Sequence, residues 1–418
     1  MRYIGYLITL IVTSLYFFPF EFSFLPGVNT KMAMAVLGLV LFVYSCVKNR
    51  SIELSKEYIC VFLLALLTSF WGIASTTYNS TSDYTYASYF VSMAVWLGGA
   101  YFVVQTISFI HGQANTELVC NYLIAVCVAQ CGLALVIDQV PAVKAFVDSF
   151  LGGSGFMGKS ESRLYGIGCS LDVAGTRFCA VLIMTAEMIS RSKGRKLVLY
   201  VFSFYFLTVV GNMIARTTTV GVVLAICYLL LRTFFISPNL GSGRKSWIII
   251  GVCFVLTSVL IFILYDFSPV FKAYFRFAFE GFFSLAETGQ WEVSSNDILK
   301  SMVVFPDNAR TWLIGDGYFE NPWGVDLNYI GPEYYGFYMQ TDIGYLRFLF
   351  YFGICGLLTF IAYFIFVSRL CVRRLSNYKL LFVFIVVLNF ILWFKVSTDI
   401  FLVFALFMCL PIESEQLS

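Results

Sequence analysis

Long apolar runs, interrupted by short polar turns, dominate the pattern along this chain. They fall at about 3–20, 31–47, 58–76, 86–110, 117–138, 172–190, 197–214, 218–236, 247–266, 342–368, 380–395 and 399–412. An α-helix of about 20 apolar residues crosses a ~30 Å hydrocarbon layer. The expected fold class is therefore all-α, a polytopic transmembrane helical bundle of about twelve spans forming a single integral membrane domain over 1–418. The first run follows Met1-Arg2 without a small-residue cleavage site, so it reads as a retained span and not a removed signal.

Composition agrees with the pattern. The hydrophobic fraction is 60 %, only 12 % of residues are charged, and mean hydropathy is +0.83, against roughly 25 % charged residues in soluble domains. The net charge of +3 is uninformative, because the two sides of a membrane protein differ more than their sum. No segment is basic and aromatic enough for nucleic acid. Most of the 12 cysteines lie in apolar runs, where they act as small apolar residues. Cys169 and Cys179 form the one pair near the outer face. No CxxC pair occurs and His111 is the sole histidine, which excludes a His-rich metal site.

Lys and Arg in short turns set the orientation. Placing the N-terminus inside puts Lys48, Arg50 and Lys56, then Arg191, Lys193, Arg195 and Lys196, then Arg369, Arg373, Arg374 and Lys379 in the cytoplasm. Both termini are then cytoplasmic, with a smaller outer loop at 139–171 and a large one at 267–341. The smaller loop carries the Gly152-Gly153-Ser154-Gly155 stretch. The large loop opens on an aromatic segment through Phe271, Tyr274, Phe277 and Phe282 that reads as a helix lying in the membrane interface. Its remainder, rich in Gly, Pro, Tyr and Asn, reads as irregular and tightly turned, and a loop of about 75 residues is long enough to be functional. Its excess of carboxylates makes it a poor anion trap, whereas its rings and hydroxyls suit sugars.

Against this background five arginines stand on the outer side, at or just inside span ends: Arg163, Arg177, Arg216, Arg310 and Arg347. Charge at membrane depth is expensive, and guanidinium forks match phosphate oxygens bidentately, so converging arginines point to a diphosphate ligand. Arg216 lies in the very short Ala215-Arg216-Thr217-Thr218-Thr219 turn, flanked by hydroxyl donors; snorkelling to headgroups is the bland alternative. Arg163 and Arg177 bracket the entry to the sixth span, where Asp172 is a candidate ion-pair partner for Arg177. Asp342 stands at a helix start, a place that suits a general base and equally an N-cap. Lys395 and Asp399 have the spacing of a helical ion pair, and Gly353 and Gly356 that of close helix approach.

The sequence Arg310-x-x-Leu313-x-Gly315-x-Gly317, a loop, then Asp342-x-Gly344-Tyr345-Leu346-Arg347 and Phe352-Gly353-Ile354-x-Gly356-Leu357-Leu358 resembles the O-antigen polymerase (Wzy-type) family of bacterial inner-membrane proteins, related to O-antigen ligases. The Ala215-Arg216-Thr217 turn is similar to the arginine-bearing turn of both groups. Ligase relatives carry a histidine where this chain has Asp342, which favours the polymerase. The family's arginine-to-glycine spacing is off by one here, since Arg163 is followed by Ala174 and then Gly175.

The resemblance implies a metal-independent glycosyltransferase without cofactors, its active site facing the periplasm. Its substrate would be an undecaprenyl-diphosphate-linked oligosaccharide, with the lipid bilayer and a chain-length regulator protein as further partners. Arg216 and Asp342 would then be catalytic, with Arg163, Arg177, Arg310 and Arg347 binding substrate. A ligase, a lipid-linked oligosaccharide flippase and a scaffold are the competing classes.

Overall fold

A computed structural model describes residues 2–50, 55–152, 163–236, 243–326, 329 and 331–411; Gly153-Ser154-Gly155 of the smaller loop lies outside them. The chain begins with α1 (Arg2–Phe17), α2 (Thr30–Asn49), α3 (Lys56–Asn79), α4 (Tyr89–His111), α5 (Thr116–Gln139) and α6 (Pro141–Phe150). It continues with α7 (Leu171–Arg191), α8 (Gly194–Ile214), α9 (Thr218–Leu231) and α10 (Gly243–Phe267). The segment read as the large loop holds α11 (Pro269–Ala278), α12 (Glu280–Thr288), α13 (Ser294–Ser301) and α14 (Ala309–Leu313). The chain ends with α15 (Gly344–Arg374), α16 (Lys379–Leu392) and α17 (Phe401–Met408). Helix makes up 76 % of the described residues, and the one named sheet among them is a two-residue ladder of Glu21–Phe22 on Leu151–Gly152, so the class is all-α.

Among the described residues, seven helices are long and apolar enough to cross a membrane: α2, α3, α4, α5, α7, α8 and α15. Shorter apolar helices occupy Tyr3–Phe17, Thr218–Phe234, Gly251–Phe267 and Ser376–Leu392. The last expected run, 399–412, holds only the eight residues of α17, about 12 Å of helix.

The chain divides into two compact units, one of residues 1–42, 98–291 and 405–418, the other of 43–97 and 292–404. In the first, α7 is the core: every residue from Ala174 to Ile189 is buried. A helix covered on all sides is normally apolar throughout. This one nevertheless encloses Arg177 and Glu187, so each must be met by neighbours.

In the second unit α15 packs against α3 around a cluster of rings that includes Tyr86, Phe348, Phe360, Tyr363 and Trp393. Here the structure departs from the expected continuous span. Helix α15 breaks at Phe352 and Gly353, where Gly353 has φ 68° and ψ −174°. That region is essentially closed to side chains. A Cβ on Gly353 would lie 2.3 Å from the Leu313 carbonyl oxygen. Gly353 therefore turns the backbone and lets the end of α14 in, which is more than the helix approach that its spacing with Gly356 implies.

The Lys395–Asp399 spacing likewise falls on non-helical backbone. Asp399 caps the start of α17, accepting from the Phe401 amide at 2.9 Å.

Candidate functional site

The first unit brings Arg163 and Arg216 together. The turn that carries Arg216 is fixed by its own threonines. Thr217 donates to Asp172, Thr218 to the Gly211 carbonyl at 3.1 Å, and Thr219 to the Asn212 side-chain oxygen at 2.7 Å. Gly211 is in the last turn of α8, and its carbonyl also accepts from the Ala215 amide at 2.8 Å. The three hydroxyls are thus spent on holding the turn, a correction to their expected role as donors flanking the guanidinium.

With the turn held, the Arg216 guanidinium lies 4.2 Å from the ring centre of Phe277 on α11, and Arg163 lies 4.8 Å from the same ring. Each such contact is worth about 0.5–2 kcal/mol, depending on desolvation. Arg216 is also paired with Glu280, at the start of α12. The segment 163–169 is held in place by the Leu164 amide on the Met213 carbonyl at 3.2 Å.

Two cations sharing one ring repel each other unless anions lie close. Burial pushes the Arg163 guanidinium below its ordinary value; Asp172 opposes this and Arg216 adds to it. Arg177 sits deeper, buried on α7, with its guanidinium 5.4 Å from the Phe18 ring. The two guanidiniums that share the Phe277 ring are thus those of Arg163 and Arg216.

The second unit holds Arg310, Arg347 and Asp342. Arg347 is 4 % exposed and is enclosed by the protein. Its guanidinium lies 3.5 and 4.3 Å from the ring centres of Phe319 and Phe337. Its Nη1 donates to Ser397 at 2.9 Å and to Asp342 at 3.5 Å, and its Nη2 donates to Glu320 at 2.5 Å and to the Phe319 carbonyl at 3.0 Å. Asp342 itself is partly exposed and precedes the α15 N-cap position, which is Ile343. Asp342 is therefore not the N-cap residue of α15, and Arg347 is one of its partners.

Arg310 faces a cavity of about 800 Å³ whose walls include Asn79, Asn308, Asp316, Tyr318 and Tyr338. The turn Gly315-Asp316-Gly317 builds it. Its Asp316 and Gly317 amides donate to the Phe350 and Tyr351 carbonyls, at 2.6 and 3.1 Å, which the break in α15 leaves without helical partners. Asp316 then accepts from Arg310 at 3.2 Å, Thr311 at 2.6 Å and Tyr338 at 3.3 Å. Burial, with Asp316 adding to it, raises the Tyr338 phenol far above its ordinary value. Burial, with Asp326 adding to it, does the same for Tyr318. Both phenols therefore stay protonated and act as donors. A polar cavity edged by rings, a carboxylate and a guanidinium fits a hydroxyl-rich ligand.

The sequence reading missed three participants. Phe277 and Glu280 lie 61 and 64 residues beyond Arg216, and Phe277 lies 114 beyond Arg163, so no local spacing signals that meeting. Glu187 was legible in principle as a carboxylate inside an apolar run. It is fully buried and held by Arg191 at 2.5 Å, Arg232 at 3.3 Å and Tyr228. Removing one partner of a buried charge cluster typically costs about 3–5 kcal/mol. Glu187→Ala is therefore expected to lower the thermal unfolding midpoint of the purified protein by several degrees, read by size-exclusion after heating. An unchanged midpoint would mean that the two arginines reach other anions.

A scan against models of known protein families, a search of curated proteins and a search of solved structures each found no match.

Proposed function

We propose that this chain is a glycosyltransferase of the O-antigen polymerase type, crossing a bacterial inner membrane about twelve times with both termini in the cytoplasm. The observation that carries the reading is the meeting of Arg163 and Arg216 over Phe277. Two partly buried guanidiniums on one ring form a place where a diphosphate gains charge-assisted, bidentate hydrogen bonds. Support also comes from the polar, ring-edged cavity at Asp316, which suits the sugars of a lipid-linked repeat unit.

In this reading the acceptor hydroxyl oxygen attacks the anomeric carbon of the donor. The bond from that carbon to the diphosphate oxygen breaks, and its electron pair leaves with the diphosphate. Arg163 and Arg216 stabilise the charge that builds there. Asp342 takes the hydroxyl proton, and the anomeric centre inverts. Arg347, whose two Nη groups are engaged by Asp342, Glu320, Ser397 and a carbonyl, positions Asp342.

The test is complementation of a polymerase-null strain that makes the native repeat unit, read as the lipopolysaccharide ladder on a gel. A restored ladder is the expected result. A single-repeat band at verified expression would overturn the reading, and a change in attachment to lipid A-core alone would favour a ligase.

The Arg216–Glu280 pair gives a further expectation. Glu280 competes with any anion for Arg216, so Glu280→Gln is expected to tighten binding of farnesyl diphosphate to the purified protein by about tenfold, roughly 1.4 kcal/mol. Isothermal titration reads this directly, and an unchanged or weaker affinity would remove Glu280 from the site.

A further inference from the structure

Three large apolar side chains beside the Asp316 cavity lie at the surface of the second unit. Phe305 and Leu313 are 59 and 57 % exposed, and Trp312 is 38 % exposed. Phe305 and Trp312 stack with their ring planes 6° apart, and Phe305 also lines the cavity. The Trp312 indole donates to the Pro306 carbonyl at 2.9 Å, so the polar edge of that ring is satisfied within its own segment. Exposed apolar side chains gathered in one place mark an interaction surface but do not name the partner. The depth of the segment does.

Two helices measure that depth. α3 packs along α15, and each is long and apolar enough to span a bilayer. At one end Glu57 pairs with Arg373 at 2.9 Å. At the other, Ser75 donates to the Tyr351 carbonyl at 2.7 Å and Asn79 to the Gly315 carbonyl at 2.9 Å. From Glu57 to Asn79 is about 33 Å of helix, and from Arg373 back to Gly353 about 30 Å. The only charged side chain within either stretch is Arg369, one turn from Arg373. A hydrocarbon core is ~30 Å thick. With the Glu57–Arg373 pair at one edge of that layer, the Gly315 turn and the end of α14, packed on Gly353, stand at the other.

Charge sets the opposite bound. Arg310, on α14 itself, is 55 % exposed and pairs with Asp316 at 3.2 Å. An exposed guanidinium is costly in hydrocarbon, so the segment goes no deeper than the edge. Tryptophan, with an apolar body and one polar N–H, is enriched in that zone.

We propose that Phe305, Trp312 and Leu313 are seated in the glycerol and headgroup layer of the bilayer, on the side away from the Glu57–Arg373 pair. The partner is a lipid surface, and the cavity that Phe305 lines opens at headgroup depth. A second copy or another protein would also cover the rings, but neither accounts for their standing one hydrocarbon thickness from the ion pair. The proposal requires α3 and α15 to span the bilayer and does not depend on a diphosphate at Arg163 and Arg216.

The experiment uses the full chain in phosphatidylcholine nanodiscs whose acyl chains carry bromine either next to the glycerol or at the methyl end. Trp312 emission is read as the difference between the parent and Trp312→Phe, which keeps a ring against Phe305. Most of that emission should be lost to bromine near the glycerol, and most should survive bromine at the methyl ends and iodide in the buffer. In parallel, the unsubstituted protein is irradiated with a phosphatidylcholine bearing a diazirine near the glycerol, and adducts are mapped by peptide mass spectrometry. Adducts are expected on peptides containing Phe305, Trp312 or Leu313, a reading that holds even should Trp312→Phe fail to elute as folded protein.

Loss of emission to iodide, with none to either brominated lipid and no adducts here, would put the rings in water and overturn the proposal. Loss chiefly to methyl-end bromine would overturn the headgroup depth. Protection from iodide and from both lipids, again without adducts, would mean that protein covers the rings, and would overturn it as well.

Discussion

Arg216→Ala is expected to reduce polymer formation by about 10²–10³-fold, collapsing the ladder to a single-repeat band. The size follows from the loss of one preorganised charged donor at a leaving group, which costs roughly 2.7–4 kcal/mol of transition-state stabilisation. The fold should survive the change. Thr217, Thr218 and Thr219 hold the turn without the guanidinium, and Glu280, about a third exposed, can be solvated once released. Loss of activity in a variant that elutes and melts like the parent is thus the diagnostic outcome.

Arg216→Lys sharpens the test. Lysine keeps the charge but loses the planar fork that meets phosphate bidentately, so a residual, shortened ladder is expected. A full ladder from Arg216→Ala at matched expression would sink the proposed chemistry. A full ladder from Arg216→Lys alone would show that charge suffices and that the fork is not used.

The second large effect is on stability. Gly353→Ala is expected to destabilise the protein by about 2–5 kcal/mol, the sum of a side chain forced into a region nearly reserved for glycine and of overpacking against its neighbour. A Cβ there meets the Leu313 carbonyl oxygen at 2.3 Å, its carbon at 2.4 Å and the Ile314 amide nitrogen at 2.6 Å. All three are backbone atoms and none is a yielding side-chain tip. Because the Gly315-Asp316-Gly317 turn binds the carbonyls exposed by the same break, its geometry at Asp316 should fail together with the helix. Thermal unfolding monitored by size-exclusion reads the first effect, and protease sensitivity between Trp312 and Tyr318 reads the second. An unchanged midpoint would mean that the break is not needed for the fold.

These cases show what the sequence could and could not carry. Apolar runs of about 20 residues report helices directly, because backbone groups in hydrocarbon have no other partner, and most of the runs did become helices. Arg216 was legible for the same reason: a turn that short leaves its side chain near the bundle. Phe277 and Glu280 were not, since cation–π and ion-pair partners this far along the chain are chosen by packing and leave no period.

The break at Gly353 was hidden by an ambiguity. Glycine in an apolar run marks either close packing or a special backbone angle, and nothing in the flanking residues separates the two. Glu187 was obscured differently, because Arg191 beside it had already been assigned to orientation. The expected convergence of five arginines was the coarsest inference. Within the first unit Arg163 and Arg216 meet and Arg177 lies over Phe18; within the second, Arg310 is bound to Asp316 and Arg347 to Glu320.

The interruption of α15 also bears on how the protein tolerates its surroundings. Residues 354–374 span about 32 Å, close to the thickness of a hydrocarbon core, while the stub from Gly344 to Tyr351 is about 12 Å long. Membranes that thicken or thin make a spanning helix tilt. A rigid 31-residue rod would carry that tilt to Arg347 and Asp342. A joint at Gly353, pinned by hydrogen bonds on its far side, isolates them mechanically, so lipid composition should change how the long segment leans while the clamp around Arg347 keeps its shape.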